Sequence, residues 1–466
     1  MSNPRAAGPF LTRPFVLVAL LAIAIPFIIT RFQSDISRVL PWSPSSPATT
    51  TSSVPVAQPS STGSPTTQPD VRVLPDFDYS REEDITRYSL GGYHPVNIGD
   101  GFKDGRYVVR RKIGYGEFST VWLAEDIQVN EFVALKILTG NSTEGGIDEV
   151  DEINLLLRAS TADVSHPGHK HVIGLRDHFY HVGPHGKHIC LVFDMLGRDI
   201  YALLQHYDEA VPMNIIKSII RQIFLGLDYL HTACGIVHTD LKLDNVLLTL
   251  EDPYPRISAD LATNPPQVSP KQTSEFPPYS TFSVIKTQPL PVFVPSSDDP
   301  QIKIVDLGVA NWVGNHLRNE IQSLALRSPE ALLRAPWETP VDIWSVACVI
   351  YYLMMGTELF NPWAQEDPSW STEEELLAQM IEYFGPVPQS LVKSGKYSTD
   401  WLADDGMLLH VAGIEPHANS LHANIAEFYG EEEADDLMDL LGRMFRYEPE
   451  TRATAAELAK HPWLNN

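Results

Sequence analysis

An α+β fold of two lobes with a cleft between them is predicted from three observations. The chain has 466 residues, 43% of them hydrophobic, enough for a sizeable core in one large or two ordinary domains. From Tyr107 short β-branched and aromatic runs follow one another, in "RYVVRRKIG", "STVWLAED", "EFVALKIL", "VIGLRDHFYHV" and "HICLVFDML", the composition of strands. After Asp199 the apolar residues recur at three and four, as in "NIIKSIIRQIFLGLDYLHTA" and "PVDIWSVACVIYYLMMG", which is helical spacing. A strand-rich half followed by a helical half puts a site in the groove where they meet.

Ahead of this body, residues 1–35 form an apolar leader and 36–80 a Ser/Thr/Pro-rich linker, expected to be disordered. Phe15 to Ile29 is an unbroken apolar run between Arg13 and Arg31. It is short of the roughly 20 residues a membrane span needs, and no small-x-small cleavage site follows. Three readings stay open for residues 10–31: a single-pass membrane anchor, a cleaved targeting segment (secretory or mitochondrial), or neither. A second Pro-rich stretch, 249–300, holds eleven of the 37 prolines and reads as a disordered insert within the body.

The formal charge is −25. That balance argues against direct nucleic-acid binding, which needs clustered Lys and Arg, and suits a basic partner. A fully disordered chain and a polytopic membrane protein are excluded by the core and by the single long apolar run. Cys190, Cys234 and Cys348 are widely spaced in apolar surroundings and form neither a disulfide framework nor a metal motif, as suits a reducing compartment.

Five motifs carry chemistry. In "IGYGEFSTV", Ile113 to Val121, Gly114 and Gly116 let backbone approach phosphate oxygens that a Cβ would block. In "VALK", Lys136 points an ammonium out of an apolar strand toward anionic partners. The helix "DEINLLL" supplies a carboxylate for it from Glu152, with Glu149 one turn earlier as the rival, on a helix whose stripe of Ile153, Leu156 and Leu157 faces inward. In "IVHTDLKLDNVLL", Asp240, Lys242 and Asn245 stand close together between apolar runs: a carboxylate to accept a hydroxyl proton, a cation for a phosphoryl group and an amide oxygen for a metal. In "IKIVDLGVA", Asp306 follows a β-run and precedes Gly308, a metal-binding carboxylate at a turn. Finally "RSPEALL", "DIWS" and "PETRATAAEL" offer Glu330, Asp342 and Arg452 for buried structural roles.

These motifs in this order are the protein-kinase signature set. "YHPVNIGDGFKDGRYVVRRKIGYGEFSTVWLAED", "VHTDLK", "DLGVANWV" and "LAQMIEYFGPVPQSLVKSGKYS" resemble the serine/arginine-rich (SR) protein kinases, as does the position of the insert. The resemblance implies a bilobal protein kinase fold over 107–464, with an N-lobe at 107–196 and a C-lobe at 197–464. It implies a Ser/Thr kinase that uses ATP and Mg²⁺ on basic Arg/Ser-rich splicing and mRNA-processing proteins, working as a monomer in cytoplasm or nucleus. Lys136, paired with Glu152, is expected to hold the α- and β-phosphates. Asp240 would be the catalytic base, Lys242 would steady the γ-phosphoryl, and Asn245 and Asp306 would hold the metal. The phosphate loop would comprise Ile113, Gly114, Tyr115, Gly116, Glu117, Phe118, Ser119, Thr120 and Val121, with Ser119 in place of a third glycine as is usual in that family. Adenine would lie between Val121, Ala134 and Leu247 and bond the hinge at Asp194 and Leu196, with Phe193 as gatekeeper.

Some positions depart from the family pattern. Leu324 and Leu326 replace an Arg and a Tyr, and Thr357 stands where an Asp is expected. The acidic run 366–375 is retained in kind, and Asp367, Glu373, Glu374 and Glu375 are expected to dock basic substrate. A scaffold that keeps the fold without catalysis, and a membrane-tethered kinase with unrelated substrates, are the rival readings. Seven histidines fall between His166 and His188 but without paired ligand spacing, so a metal site is not expected among them. A glycosylation sequon begins at Asn141 and matters only in a secretory lumen.

Overall fold

The computed structural model describes residues 71–465 apart from 145–146, 208–210, 278, 295–298, 365–369, 412 and 415–419. The apolar run at 15–29, and with it every reading of the leader, lies outside the described residues. Among those described, no helix is long and apolar enough to cross a membrane.

The N-lobe is a six-stranded sheet built from β1 (Gly101–Phe102), β2 (Tyr107–Gly116), β3 (Ser119–Asp126), β4 (Glu131–Leu138), β5 (Leu175–Gly183) and β6 (Gly186–Asp194). The order is β1-β2-β3-β4-β6-β5, every neighbour antiparallel. Period-two alternation turns Tyr107, Val109, Trp122, Ala124, Val133, Leu135 and Ile137 onto one buried face. Helix α1 (Ile147–Thr161) packs beneath the sheet through Leu155, Leu156 and Ala159. Leu157, expected inward, is exposed; Leu155, two residues earlier, is buried in its place.

The C-lobe is helical. Helix α2 (Met213–Asp228) buries Ile216, Ile219, Ile220, Ile223, Phe224 and Leu227, a face repeating at three and four. Helix α4 (Pro340–Met355) is apolar nearly all round and runs through the middle of the lobe, with Trp344 against Phe360, Phe384 and Phe445. Arg452 closes on Glu330 with two hydrogen bonds, 2.5 and 2.7 Å, both side chains fully buried.

The expected disorder of 36–80 and 249–300 is corrected wherever those residues are described. Arg72–Val73 pairs in parallel with Gln267–Val268, so the linker's end and the insert share a ladder. Within the insert, helix α3 (Pro253–Thr263) buries Ile257 with Leu123, Phe132 and Leu290. Asp260 of α3 forms a buried ion pair with Arg111. Phe282 stacks on Tyr88, ring centroids 4.4 Å apart. Lys112, fully buried on β2, is held by Glu82, Glu83 and the carbonyl of Ile285. These Ser/Pro-rich segments lack the apolar periodicity to fold alone; they become ordered by laying charges and single aromatics onto the N-lobe.

Candidate active site

Three local structures bring the chemistry together. Lys136 sits on β4, directly across from Val121 on β3 and Leu191 on β6, and its ammonium emerges on the cleft side. There it meets Glu152 Oε1 at 2.8 Å and Asp306 Oδ1 at 3.1 Å. Burial alone would lower the ammonium's pKa, but the two carboxylates outweigh it and raise it. The Lys136 ammonium in turn holds the Asp306 carboxyl down at about 2. Glu152 is therefore the partner the ammonium selects; the side chain of Glu149 is outside the described residues.

Asp306 and Asn245 are neighbours because of a two-stranded ladder. β7 (Val246–Leu248) runs antiparallel to β8 (Ile302–Ile304), with Val246 opposite Ile304, and Val305 N–H donates to Asn245 O at 2.9 Å. Asp306 has φ +64°. A Cβ on Gly308 would come within 3.2 Å of Asp306 Oδ1 and 3.4 Å of Glu152 Oε1, so a bare glycine keeps room for both carboxylates.

The third structure is the loop carrying Asp240. Thr239, β-branched, takes φ +64°, an unfavourable conformation that needs external support. Buried Asp342 provides it, accepting from the backbone N–H groups of His238 and Thr239 at 2.8 Å each and bonding His231 Nε2 at 2.9 Å. Beyond it, Lys242 Nζ donates to Asp240 Oδ2 at 2.9 Å, and Asn245 Nδ2 donates to Asp240 O at 2.9 Å. Ser323 Oγ donates to Asp240 Oδ1, also at 2.9 Å. The two oxygens of Asp240 are thus held by a cation and by a hydroxyl.

Lys136, Glu152, Asn245 and Asp306 line a cavity of about 450 Å³ between the lobes, together with Ile113, Gly114, Tyr115, Gly116, Ser119, Val121, Ala134, Phe193, Asp194, Leu196 and Leu247. Glu117, Phe118 and Thr120 do not line it. Phe118 is exposed at the loop's tip, and buried Thr120 accepts from the Trp122 indole instead. Pro289 and Leu290 of the insert also line the cavity, a contribution that sequence reasoning missed because the insert was read as disordered.

The donor set suits a divalent cation: one amide oxygen and one carboxylate at adjoining strand ends, with phosphate oxygens and water to complete it. Among the described residues no group of three or more His, Cys, Asp or Glu could hold a metal unaided.

Of the expected docking acids, Asp367 lies outside the described residues. Glu374 is corrected to a structural role: it is 4% exposed and caps helix α5 (Thr372–Phe384), its Oε2 accepting from Ser371 N and Oγ, its Oε1 bonding His410 Nδ1 at 2.7 Å. The Ser-x-x-Glu spacing of 371–374 was the legible sign of that capping box. Glu373 and Glu375 stay partly exposed. The departures Leu324 and Leu326 pack against the C-lobe core.

A strand-rich lobe, a helical lobe and this cluster in the cleft define a protein kinase, and the Protein kinase domain family matches residues 107–269 and 292–464. The gap in that match falls inside the insert. More narrowly, the chain belongs to the SR-protein kinases, a family of Ser/Thr protein kinases. It is 36% identical over 403 residues to the serine/threonine-protein kinase SRPK of Physarum polycephalum, covering 83% of this chain and 92% of that one. It is 33% identical over 468 residues to protein kinase dsk1 of Schizosaccharomyces pombe, covering 83% and 85%. With SRSF protein kinase 3 of Homo sapiens it shares 30% over 524 residues, covering 83% and 91%.

Proposed function

We propose that the protein transfers the γ-phosphoryl group of ATP to serine in basic, Arg/Ser-rich proteins, splicing and mRNA-processing factors among them, with Mg²⁺ as the cation. The observation that carries this reading is the convergence of two clusters, Lys136–Glu152–Asp306 and Asp240–Lys242–Asn245, on one cleft. Lys136, steadied by Glu152, holds the α- and β-phosphates. Asp240 orients the substrate hydroxyl and accepts its proton as the oxygen bonds to the γ-phosphorus and the bond to the bridging oxygen breaks, leaving ADP. Lys242 offsets charge on the moving phosphoryl group. Asn245 and Asp306 are the residues that would hold Mg²⁺, whose contribution when bound is to neutralise phosphate charge. Catalysis is then mainly positioning and charge stabilisation.

The preference for basic substrates is supported by the net charge of −25, which favours capture of cationic peptides in a salt-sensitive way. Glu373 and Glu375, both partly exposed, are the docking acids among the described residues, and Asp367 keeps its proposed docking role. A kinase needs ATP and suits reducing conditions, so the catalytic body belongs on an ATP-containing side of any membrane, in cytoplasm or nucleus by the family resemblance.

The test is turnover of Mg-ATP on an Arg-Ser peptide and on an acidic peptide of equal length. Wild type should phosphorylate the first far better. Asp240→Asn should be inactive, and the Glu373→Gln/Glu375→Gln double variant should show a raised KM with kcat nearly kept. No turnover by wild type would favour a scaffold; equal use of both peptides would refute the substrate class.

A further inference from the structure

The phosphate loop is held from outside the kinase core. Tyr93, in the segment before β1, is 3% exposed and donates its hydroxyl to Gly116 O at 2.8 Å, with Glu117 O at 3.1 Å. Both carbonyls belong to the tip of the loop between β2 and β3. The hydroxyl in turn accepts from Arg87 Nη1 at 3.2 Å, and the same guanidinium lies 4.7 Å over the ring.

The rest of Tyr93 is fixed independently of that hydroxyl. Its N–H donates to Arg87 O at 2.9 Å, its carbonyl bonds His185 Nδ1 at 2.6 Å, and His185 Nε2 bonds Ser280 of the insert at 2.6 Å. Tyr88 beside it stacks on Phe282 of the insert. Burial pushes the Tyr93 hydroxyl up to about 12, so it remains a protonated donor at any physiological pH. Gly116 has open space where a Cβ would be, and Glu117 and Phe118 beside it are exposed.

We infer that Tyr93 is a positioning residue for the nucleotide phosphates, its hydroxyl holding the loop tip down over the cleft in a chain of contacts running insert, N-terminal segment, loop. A glycine-bearing loop that is free to move must be ordered when phosphate binds, and that ordering opposes affinity. The Tyr93 hydroxyl orders it beforehand. The effect falls on the phosphates rather than on adenine, which lies deeper against Val121, Ala134 and Leu247. The inference rests on the nucleotide reading of the cleft.

Tyr93→Phe is the informative variant, because it deletes the hydroxyl and leaves the ring and backbone contacts. The Kd values of wild type and variant are measured by calorimetry for Mg-ATP, Mg-ADP and adenosine. Loss of one hydrogen bond to backbone should weaken Mg-ATP and Mg-ADP by about three- to tenfold and leave adenosine unchanged, with KM for ATP rising in step and kcat nearly constant. Arg87→Gln should shift the same two ligands in the same direction by less. Unchanged affinities in Tyr93→Phe, or an equal loss for all three ligands, would overturn the inference while wild-type binding upheld the nucleotide reading. A wild type that bound neither ATP nor adenosine would overturn both.

Discussion

Ser323 places its hydroxyl on Asp240 Oδ1 at 2.9 Å, so a residue of the activation segment touches the carboxylate proposed as catalytic base. Arg327, four residues on, donates to Gln322 O at 3.0 Å. Gln322 is the pin of this segment: its N–H donates to Thr239 O, and its side-chain amide donates to Val341 O and Ser345 Oγ. Where many kinases carry an arginine that waits for a phosphate, Thr239 donates to Val309 O at 2.8 Å. Enzyme made in bacteria and stripped by phosphatase, with mass confirming that no phosphate remains, should be fully active. A large loss restored by an upstream kinase would show that packing is not enough.

Lys136 and Asp306 can be separated experimentally. Lys136→Met removes the ammonium and leaves Glu152 and Asp306 facing each other across the cleft; Asp306→Ala leaves the Lys136–Glu152 pair intact. Both should abolish phosphoryl transfer. Only Asp306→Ala should also lose the Mg²⁺ dependence of nucleotide affinity, read by titrating ATP with and without the cation. Substantial turnover in either variant would refute the assigned chemistry.

The Glu330–Arg452 pair concerns stability alone. Arg452→Ala would strand a fully buried carboxylate, a defect that costs about 3–5 kcal/mol, visible as a lower urea midpoint with unchanged slope. Replacing both residues by apolar ones of like volume should cost much less. Similar losses in the single and double variants would mean that the hydrogen bonds from Arg452 to Arg446 O, Pro340 O and Tyr447 O, not the stranded charge, dominate there.

Acid should weaken the N-lobe through its imidazoles. His94 is 6% exposed, and its ring lies 4.6 Å from that of His181 and 5.0 Å from that of His188. Burial first, then the neighbouring His181, His188 and His185, lower its pKa to about 3. Burial likewise lowers His171, bonded to Ile302 O, to about 4. The unfolded chain therefore binds protons that the folded chain refuses. Stability is complete above the ordinary histidine pKa near 6.5 and is lost as pH falls from there toward the folded values. The urea midpoint should drop between pH 7 and pH 5, and His94→Phe should flatten that drop. An equal drop in the variant would exclude His94 as a cause.

Much of this was readable from residue order. The strand and helix halves, the Lys136 and Asp240 clusters and the buried Arg452 all follow from local spacing, because each rests on apolar periodicity or on charges bracketed by apolar runs. Choosing Glu152 over Glu149 needed Lys136 in space, since both acids lie on nearly one helix face. The order of the insert was not readable, because Asp260, Phe282 and Leu290 are anchored by residues distant along the chain, among them Arg111, Tyr88 and Leu123. Composition measures what a segment can bury by itself and is silent about what it can bury on a neighbour.

The ladder between the N-terminal segment and the insert also sets an order of events during synthesis. Tyr79 accepts from Gln272, 193 residues further on, and Arg72 pairs with Gln267. At about 5–20 residues per second, the ribosome delivers the second half of each contact roughly ten to forty seconds after the first. Over that interval Tyr88 has no Phe282 to stack on, and Lys112 can reach Glu82 and Glu83 but not the carbonyl of Ile285. The last clasp on the phosphate loop therefore closes only when most of the insert has left the exit tunnel.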